Sequence, residues 1–299
     1  KYVYAANLVL LIMIFAAGKT RGIAGWFKLD FIDRALQPGE LCKISIIVTL
    51  SKYVSDCMDK EGKFRGLGYI IKTTMYCAVP TVLVMMQPDF GTAFVFICIM
   101  VFKYFIGRIS WGYILTAAGG LAVCMPLAYY FVLSDSQRER IDVFINPESD
   151  LQNSGYNVAQ SKIAIGSGQL TGKGFFSEGT LAQLRFVPER HTDFIFAGIV
   201  EGLGFVGGTI IICLFFALIF RWIYIAMRTK DSFGTCLVVG VAGMFTAHVF
   251  ENIGMTIGLM PVTGIPLPFI SYGGSNLLTN LIGVGIVENV WMRRQSKKR

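Results

Sequence analysis

The apolar residues of this chain stand in blocks long enough to cross a lipid bilayer, and no other feature limits the fold as strongly. A helix needs about 20 mostly apolar residues to span the hydrocarbon core. Counting one weakly amphipathic block, 38–55, the candidates are residues 2–18, 38–55, 68–86, 90–107, 110–133, 194–222, 234–260 and 275–292. The pattern predicts an all-α polytopic membrane protein with about eight transmembrane helices.

The composition agrees with a membrane location and excludes several other classes of protein. Only 15% of the 299 residues are charged and 54% are hydrophobic, whereas a soluble domain carries about 25% charged residues. The net charge of +8 comes without a basic stripe on a soluble module, so no nucleic-acid partner is expected. The 7 cysteines form no CxxC pair, and the 2 histidines are far apart, so neither a disulfide framework nor a zinc site is expected.

The positively charged residues predict the orientation. If the spans alternate, one side of the membrane receives Lys60, Lys63, Arg65, Arg108, Arg228, Lys230 and the tail "RRQSKKR". That side is expected to be the cytoplasm, where the tail would contact anionic membrane lipids. The C-terminus is then cytoplasmic and the long connection 134–193 is extracytoplasmic. Connections of that length inside a compact protein are usually functional.

The segment "VPERHTDFIFA", residues 187–197, places four ionisable side chains just before an apolar block. In the simplest interpretation Thr192 caps the helix and Asp193 complements its dipole. Alternatively, Asp193 is a general base at the membrane edge, Arg190 neutralises a phosphate and His191 orients or donates. The helix dipole would lower the pKa of Asp193 and desolvation would raise it, and the sequence does not decide between the two effects.

Three further segments place polar residues in or beside the spans. Glu40 and Lys43 share one helical face, where a structural ion pair and a substrate contact are equally consistent with the spacing. His248, Glu251 and Asn252 also share a face, which indicates either a polar cavity lining or interhelical hydrogen bonds. The segment "PVTGIPLPFISYGGS", 261–275, cannot be a continuous helix, so it must be buried or line a cavity.

The glycine-rich stretch "GSGQLTGKGF", residues 166–175, has two interpretations. Its backbone N–H groups and Lys173 could hold an anion. It could equally be a surface or re-entrant hairpin turned by the glycines. The spacing matches neither a P-loop nor a dinucleotide-binding motif.

Six ordered segments together resemble one family across essentially the whole chain. They are "QPGELCKI", "QPDFGT", "QSKIAIGSGQLTGKG", "VPERHTDFIFA", "NIGM" and "PVTGIPLPFISYGGS". They resemble the signature segments of the SEDS proteins, named for shape, elongation, division and sporulation. The forms "PERHTDF" and "PVTGIPLP" look more like the elongation member RodA than the division member FtsW.

The resemblance implies a fold and a function. SEDS proteins have about ten spans, so residues 1–299 would form a single transmembrane domain that lacks the first two, with 134–193 as its large extracytoplasmic loop. They are peptidoglycan glycosyltransferases of the bacterial cytoplasmic membrane that polymerise lipid II at its outer face. A class B penicillin-binding protein cross-links the product. The family's essential Asp maps to Asp193, its loop Trp to Trp26, and its Glu and Lys to Glu40 and Lys43.

In the mechanism that the resemblance implies, Asp193 is the base for the acceptor hydroxyl. Arg190, Lys43 and Lys173 offset the charge of the donor pyrophosphate, with a divalent cation, Mg²⁺ or Mn²⁺, as an optional aid. Two rival functions stay open, a lipid II transporter (flippase) and a non-catalytic scaffold of the cell-wall synthesis machinery. A transporter makes no polymer, and a scaffold tolerates Asp193→Asn.

Overall fold

The structure is a computed structural model that describes residues 2–16, 27–29, 34–61, 67–131, 135–146, 154–174, 189 and 191–296. Within these ranges the chain forms helices α1 (Tyr2–Ala16), α2 (Pro38–Glu61), α3 (Leu67–Met85), α4 (Phe90–Ile106), α5 (Trp111–Phe131), α6 (Asp135–Ile145), α7 (Ser154–Ser167), α8 (Ile195–Arg228), α9 (Ser232–Thr256) and α10 (Gly274–Ser296). The protein is therefore predominantly α-helical, as the apolar blocks predict.

All eight apolar blocks form helices, namely α1 to α5 and α8 to α10. The longest departures are at α2 and α8, which continue to Glu61 and Arg228, past the predicted ends at 55 and 222. Among the described residues, α3, α8 and α9 are long and apolar enough to cross a membrane, and α1 and α4 contain shorter apolar stretches. The predicted all-α class of membrane protein is confirmed, and the total number of spans stays a prediction.

One short β-hairpin, which the sequence pattern does not predict, precedes α2. Strands β1 (Phe27–Leu29) and β2 (Arg34–Leu36) pair antiparallel, with Phe27 opposite Leu36. Each strand has 3 residues, fewer than the four to eight over which an alternating pattern can be recognised.

The motif "QPDFGT" forms the start of α4. The carboxylate of Asp89 accepts hydrogen bonds from the Thr92 backbone N–H at 2.9 Å and from the Thr92 hydroxyl at 2.8 Å. These bonds satisfy donors that a helix N-terminus leaves free. The Gln37 amide also donates to Asp89 at 2.9 Å, so the motif holds the segment that leads into α2.

The chain divides into two compact units. The first comprises Lys1–Ser110, Leu218–Ala247 and Gly273–Arg299, and the second comprises Trp111–Ala217 and His248–Tyr272. Helix α8 therefore begins in the second unit and continues into the first, and α9 runs the opposite way.

The core of the first unit forms around α2, whose Ile46, Ile47 and Leu50 have no solvent exposure. On the α8 and α9 side of this unit, the rings of Trp222 and Phe245 pack edge to face with centroids 4.6 Å apart. Such a pair adds about 0.5–1.5 kcal/mol beyond the area that it buries.

The second unit contains both helices of the long connection, α6 and α7. A cluster of Phe196, Val200, Phe215 and Leu267 packs α8 against the non-helical segment after α9. A second cluster joins α7 to the beginning of α8 through Ala164 and Phe194. The packing therefore holds the turn before α8 between α7, α9 and the segment 261–273.

Candidate active site

Asp193 lies in a turn, residues 191–194, directly before α8. Asp193 is half-buried, and its carboxylate faces Gly264. Gly264 has a φ of +78°, and a Cβ atom added there would lie 3.3 Å from Oδ2 of Asp193. A glycine at 264 therefore gives the segment its left-handed turn and leaves the space beside the carboxylate open.

The surroundings of Asp193 raise the pKa of its carboxyl to about 6, first through burial and second through the nearby charge of Glu189. Burial disfavours the charged form of an acid, and a like charge adds to the effect. No residue in the described part of the chain pairs with this carboxylate or hydrogen-bonds to it. Burial is the main cause of the shift, and its direction is the one that desolvation predicts.

Thr192, in the same turn, does not cap α8 as predicted. Helix α8 begins at Ile195, and the Thr192 hydroxyl donates to the Glu189 carbonyl at 3.2 Å and to its carboxylate at 3.0 Å. The prediction that Thr192 caps α8 is wrong, because its oxygen serves Glu189 instead of the helix N–H groups. Glu189 has a φ of +51°, a left-handed conformation that is strained for a residue with a side chain and occurs often at functional sites.

Three other residues are predicted to contact the substrate: His191, Arg190 and Trp26. The side chain of His191 is exposed. Arg190 and Trp26 lie outside the described residues. Their roles stay predictions.

Glu40 and Lys43 form the ion pair that their spacing allows. Lys43 Nζ lies 2.6 Å from Glu40 Oε1, and the two residues are 0% and 3% exposed. The second carboxylate oxygen, Oε2 of Glu40, is buried with no hydrogen-bond partner among the described residues. Within the described residues, the ion pair therefore satisfies Oε1 of Glu40 and leaves Oε2 without a hydrogen-bond donor.

The glycine-rich turn after α7 docks onto the backbone of α8. Lys173 and Gly174 donate their N–H groups to the carbonyls of Glu201 and Gly202 at 3.0 and 2.9 Å. In return, the N–H of Phe205 donates to the carbonyl of Gln169 at 2.8 Å. These bonds favour the interpretation of the stretch as a glycine turn.

Helix α8 is interrupted where this turn docks. Gly204 has φ 72° and ψ −173°, values outside the helical region. A Cβ atom at Gly204 would collide with the backbone of Leu170 and Gly172, and one at Gly172 would collide with the backbone of Gly202 and Gly204. The turn thus replaces the helical hydrogen bonds that the break removes, as buried backbone requires.

Lys173 also has a side-chain partner. Its ammonium lies 3.4 Å from Oε1 of Glu201, whose side chain is only 1% exposed, while that of Lys173 is 39% exposed. The predicted contact of Lys173 with a substrate anion stays a prediction.

The polar face on α9 forms hydrogen bonds to backbone. Asn252 donates to the carbonyl of Ile265 at 2.7 Å, and Nδ1 of His248 lies 3.1 Å from the carbonyl of Pro266. Both residues are buried. These hydrogen bonds run to the non-helical, proline-rich segment opposite Asp193 and not to another helix, so the predicted interhelical bonds stay a prediction.

Fold and site together define a class: a multi-helix membrane protein with a half-buried carboxylate at the start of an apolar helix. The family model described as "Cell cycle protein", covering FtsW, RodA and SpoVE, matches residues 1–296. The chain therefore belongs to the FtsW–RodA–SpoVE family, and the resemblance drawn from the motifs is confirmed.

Individual relatives agree with this assignment. The peptidoglycan glycosyltransferase MrdB of Escherichia coli (strain K12) is 38% identical over 296 residues, covering 98% of this chain and 78% of the relative. A structure titled "Structural coordination of polymerization and crosslinking by a peptidoglycan synthase complex" matches with TM-score 0.78 and 29% identity, covering 98% of this chain and 80% of that one. The rod shape determining protein RodA of Thermus thermophilus matches with TM-score 0.67 and 27% identity, covering 98% and 77%.

Proposed function

We propose that this chain is a peptidoglycan glycosyltransferase that polymerises lipid II into glycan strands. Family membership and the relative named for this activity support the class of reaction. The observation that carries the mechanism is the Asp193 carboxylate, half-buried at the start of α8 and without a partner among the described residues.

The proposed reaction joins two lipid-linked sugars. The 4-hydroxyl of an incoming lipid II attacks C1 of the sugar at the end of the growing glycan. The new C–O bond forms while the bond from C1 to the undecaprenyl pyrophosphate breaks, and the hydroxyl proton passes to Asp193. Because a sugar hydroxyl is a very weak acid, its proton leaves in concert with the attack.

The pKa of Asp193, raised to about 6 by burial and by Glu189, suits a base in this step. At neutral pH the carboxylate is mostly ionised and so accepts a proton. Its desolvation makes it a stronger base than an exposed aspartate, whose pKa is near 4. General base catalysis of this kind contributes about 10²–10⁴-fold to a rate.

Further residues are proposed as substrate contacts. Lys43, with Glu40 beside it, and the half-exposed Lys173 would offset the negative charge of the pyrophosphate. Arg190 is proposed for the same role, His191 as an orienting group and Trp26 as a sugar contact. A sugar hydroxyl of the substrate would donate to Oε2 of Glu40, which is buried without a hydrogen-bond partner among the described residues, an arrangement that is costly.

A divalent cation, Mg²⁺ or Mn²⁺, is proposed to accompany the pyrophosphate. Among the described residues, no group of three or more His, Cys, Asp or Glu side chains is placed to hold an ion. Mg²⁺ commonly binds through substrate phosphates with few protein ligands, so the substrate itself would bring the ion. Activity that falls with EDTA and returns with Mg²⁺ or Mn²⁺ supports this role.

The site of action is proposed as the outer face of the bacterial cytoplasmic membrane, with the C-terminus in the cytoplasm. The basic tail and the Lys and Arg residues of the short loops support this orientation. The partner is proposed to be a class B penicillin-binding protein. A matching structure whose title couples polymerisation to cross-linking supports that choice.

The test uses the full-length protein purified with its transpeptidase partner, with cross-linking blocked, and labelled lipid II. Glycan chains from the parent but not from folded Asp193→Asn support the polymerase and its base. Equal chains from both remove Asp193 from the mechanism. If neither protein makes glycan chains but lipid II moves across the membrane of liposomes, the transporter is favoured. If neither polymerisation nor transport is observed, the scaffold is the remaining function.

A further inference from the structure

Three consecutive backbone carbonyls in the Asp193 turn each accept a hydrogen bond from a residue far along the chain. The carbonyl of His191 accepts from the Tyr272 N–H at 2.9 Å. The carbonyl of Thr192 accepts from the Ser271 hydroxyl at 2.6 Å, and that of Asp193 accepts from the Asn252 amide at 2.8 Å. The orientation of three successive peptide units around Asp193 is therefore fixed from outside the turn.

The two side-chain donors are themselves held in place. The Ser271 hydroxyl accepts a hydrogen bond from the Leu267 N–H at 2.8 Å while it donates to Thr192. Asn252 is fully buried and Ser271 is 8% exposed, so water cannot readily replace either donor. A buried hydrogen bond is hard to lose without leaving a costly unpaired group.

Asn252 connects the two sides of the space around the carboxylate. Its amide nitrogen donates to Asp193 O at 2.8 Å and to Ile265 O at 2.7 Å. Ile265 follows Gly264, the residue that faces Oδ2 of Asp193. One amide group thus sets the distance between the turn that carries the carboxylate and the backbone opposite it.

We propose that Asn252 and Ser271 are positioning residues, which hold the Asp193 turn so that its carboxylate meets the acceptor hydroxyl. The inference rests on the proposed function, since it assigns these residues a role in that reaction. Neither residue touches the substrate; they act through the backbone of residues 192 and 193. A reacting group displaced by about 1 Å can lose about 10²-fold in rate, so small shifts of this turn matter.

The same unit offers a matched control for loss of a buried hydroxyl. Ser161 is fully buried and donates to the carbonyl of Thr256 at 2.8 Å. It therefore resembles Ser271 in burial, chemistry and acceptor, but it holds the end of α9 instead of the Asp193 turn. A general effect of losing a buried hydroxyl donor would appear in both Ser161→Ala and Ser271→Ala, and thermal stability reports the additional cost of the Leu267 N–H that Ser271→Ala leaves unpaired.

The experiment compares Ser271→Ala, Ser271→Thr, Ser161→Ala and Asn252→Leu in the full-length complex with labelled lipid II. Each variant is measured for kcat, KM and the pH dependence of kcat, with thermal stability in detergent recorded alongside. We expect Ser271→Ala to lower kcat about 10-fold and Asn252→Leu about 10²-fold, with KM nearly constant, since the effect falls on the reacting step. Ser271→Thr keeps the hydroxyl and should restore most of the rate, and Ser161→Ala should stay within about 2-fold of the parent.

A shifted pH inflection in Ser271→Ala would further support the proposal, because the hydroxyl would then be acting on the environment of the carboxylate. The proposal is overturned if Ser271→Ala matches Ser161→Ala in kcat, or if the loss lies in KM. If Asn252→Leu does not fold, the serine variants decide alone. Asp193→Asn is assayed in parallel: its full activity would refute the proposed base, whereas its inactivity beside a normal Ser271→Ala would refute only the positioning role.

Discussion

The starts of α2 and α8 each carry an acidic side chain, but the two acids have opposite surroundings. Glu40 is fully buried beside a lysine 2.6 Å away. Asp193 is half-buried, has a like-charged neighbour in Glu189 and has no ion-pair partner in the described part of the chain. A buried carboxylate with a cationic partner is compatible with a stable structure, whereas burial without such a partner raises the pKa of a carboxyl group and makes its carboxylate more basic.

Glu201, seven residues into α8, extends the comparison. It is as buried as Glu40 but pairs with Lys173 from the glycine-rich turn at 3.4 Å. Glu40 and Glu201 therefore each pair with a lysine, whereas Asp193 has no such partner among the described residues. The difference singles out Asp193 as the carboxylate available for proton transfer.

The largest expected effect comes from breaking the Glu40 pair. Lys43→Met leaves Glu40 buried without its cation and should lower the free energy of unfolding by about 3–5 kcal/mol. The double variant Glu40→Gln/Lys43→Met removes both charges and should recover most of that loss. Thermal unfolding in detergent measures both variants.

Equal instability of the single and double variants would show that the charge pair is not what the region depends on. If the double variant is stable but makes no polymer, the pair contacts substrate. If it is stable and active, the pair is only structural.

The second largest effect concerns the glycine-rich turn that carries Lys173, the partner of Glu201, and docks onto α8 at Gly204. Gly204→Ala places a Cβ atom against the backbone of the docked turn and requires a left-handed conformation. We expect a loss of about 2–4 kcal/mol, the sum of the conformational cost and the overpacking. Gly166→Ala is the control, because nothing lies within 4 Å of the added atom. Similar melting temperatures for the two variants would contradict the docked turn.

A third prediction concerns the cost of leaving Asp193 without a partner. Its pKa is raised from 3.8 to about 6, so the folded state binds more protons than the unfolded state between these values. Stability is therefore lost as the pH rises from about 4 to 6. Asp193→Asn should then be more stable than the parent at pH 7.5, by roughly 1–3 kcal/mol. A variant less stable than the parent at neutral pH would contradict a desolvated, unpaired carboxylate.

The smallest effect tests the neighbouring charge. Glu189→Gln keeps an oxygen for the Thr192 hydroxyl but removes the like charge that helps to raise the pKa of Asp193. The inflection in the pH–rate profile should move to lower pH, by less than about one unit, since burial is the larger cause. An inflection that moves to higher pH would contradict this electrostatic assignment.

Much of the fold could be predicted from the sequence because each span carries its own signal. The apolar blocks mark helices wherever they are continuous, and Pro80 and Pro126 lie inside α3 and α5 without ending them. The break at Gly204 could not be predicted, since it depends on carbonyls and N–H groups supplied by residues 168–174. A local pattern carries no information about such a distant backbone partner.

The site shows the same division. Asp193 was identified from its motif, and the shared face of Asn252 and His248 from helical spacing. The direction of the Asp193 pKa shift depends on how deeply folding buries the carboxylate, which spacing does not reveal. Ser271 was not predicted, because a single serine in a proline-rich segment gives no sign of the carbonyl that it holds.

The most direct test of the unpaired base is the pH dependence of single-turnover lipid II polymerisation by the full-length complex. The rate should fall as the pH drops through about 6, where Asp193 becomes protonated and can no longer accept the hydroxyl proton. Asp193→Asn, folded and bound to its partner, should lack both the rate and the inflection. A parent rate that is constant from about pH 5 to 8, or an active Asp193→Asn with the same profile, would contradict the assignment of this carboxylate as the base.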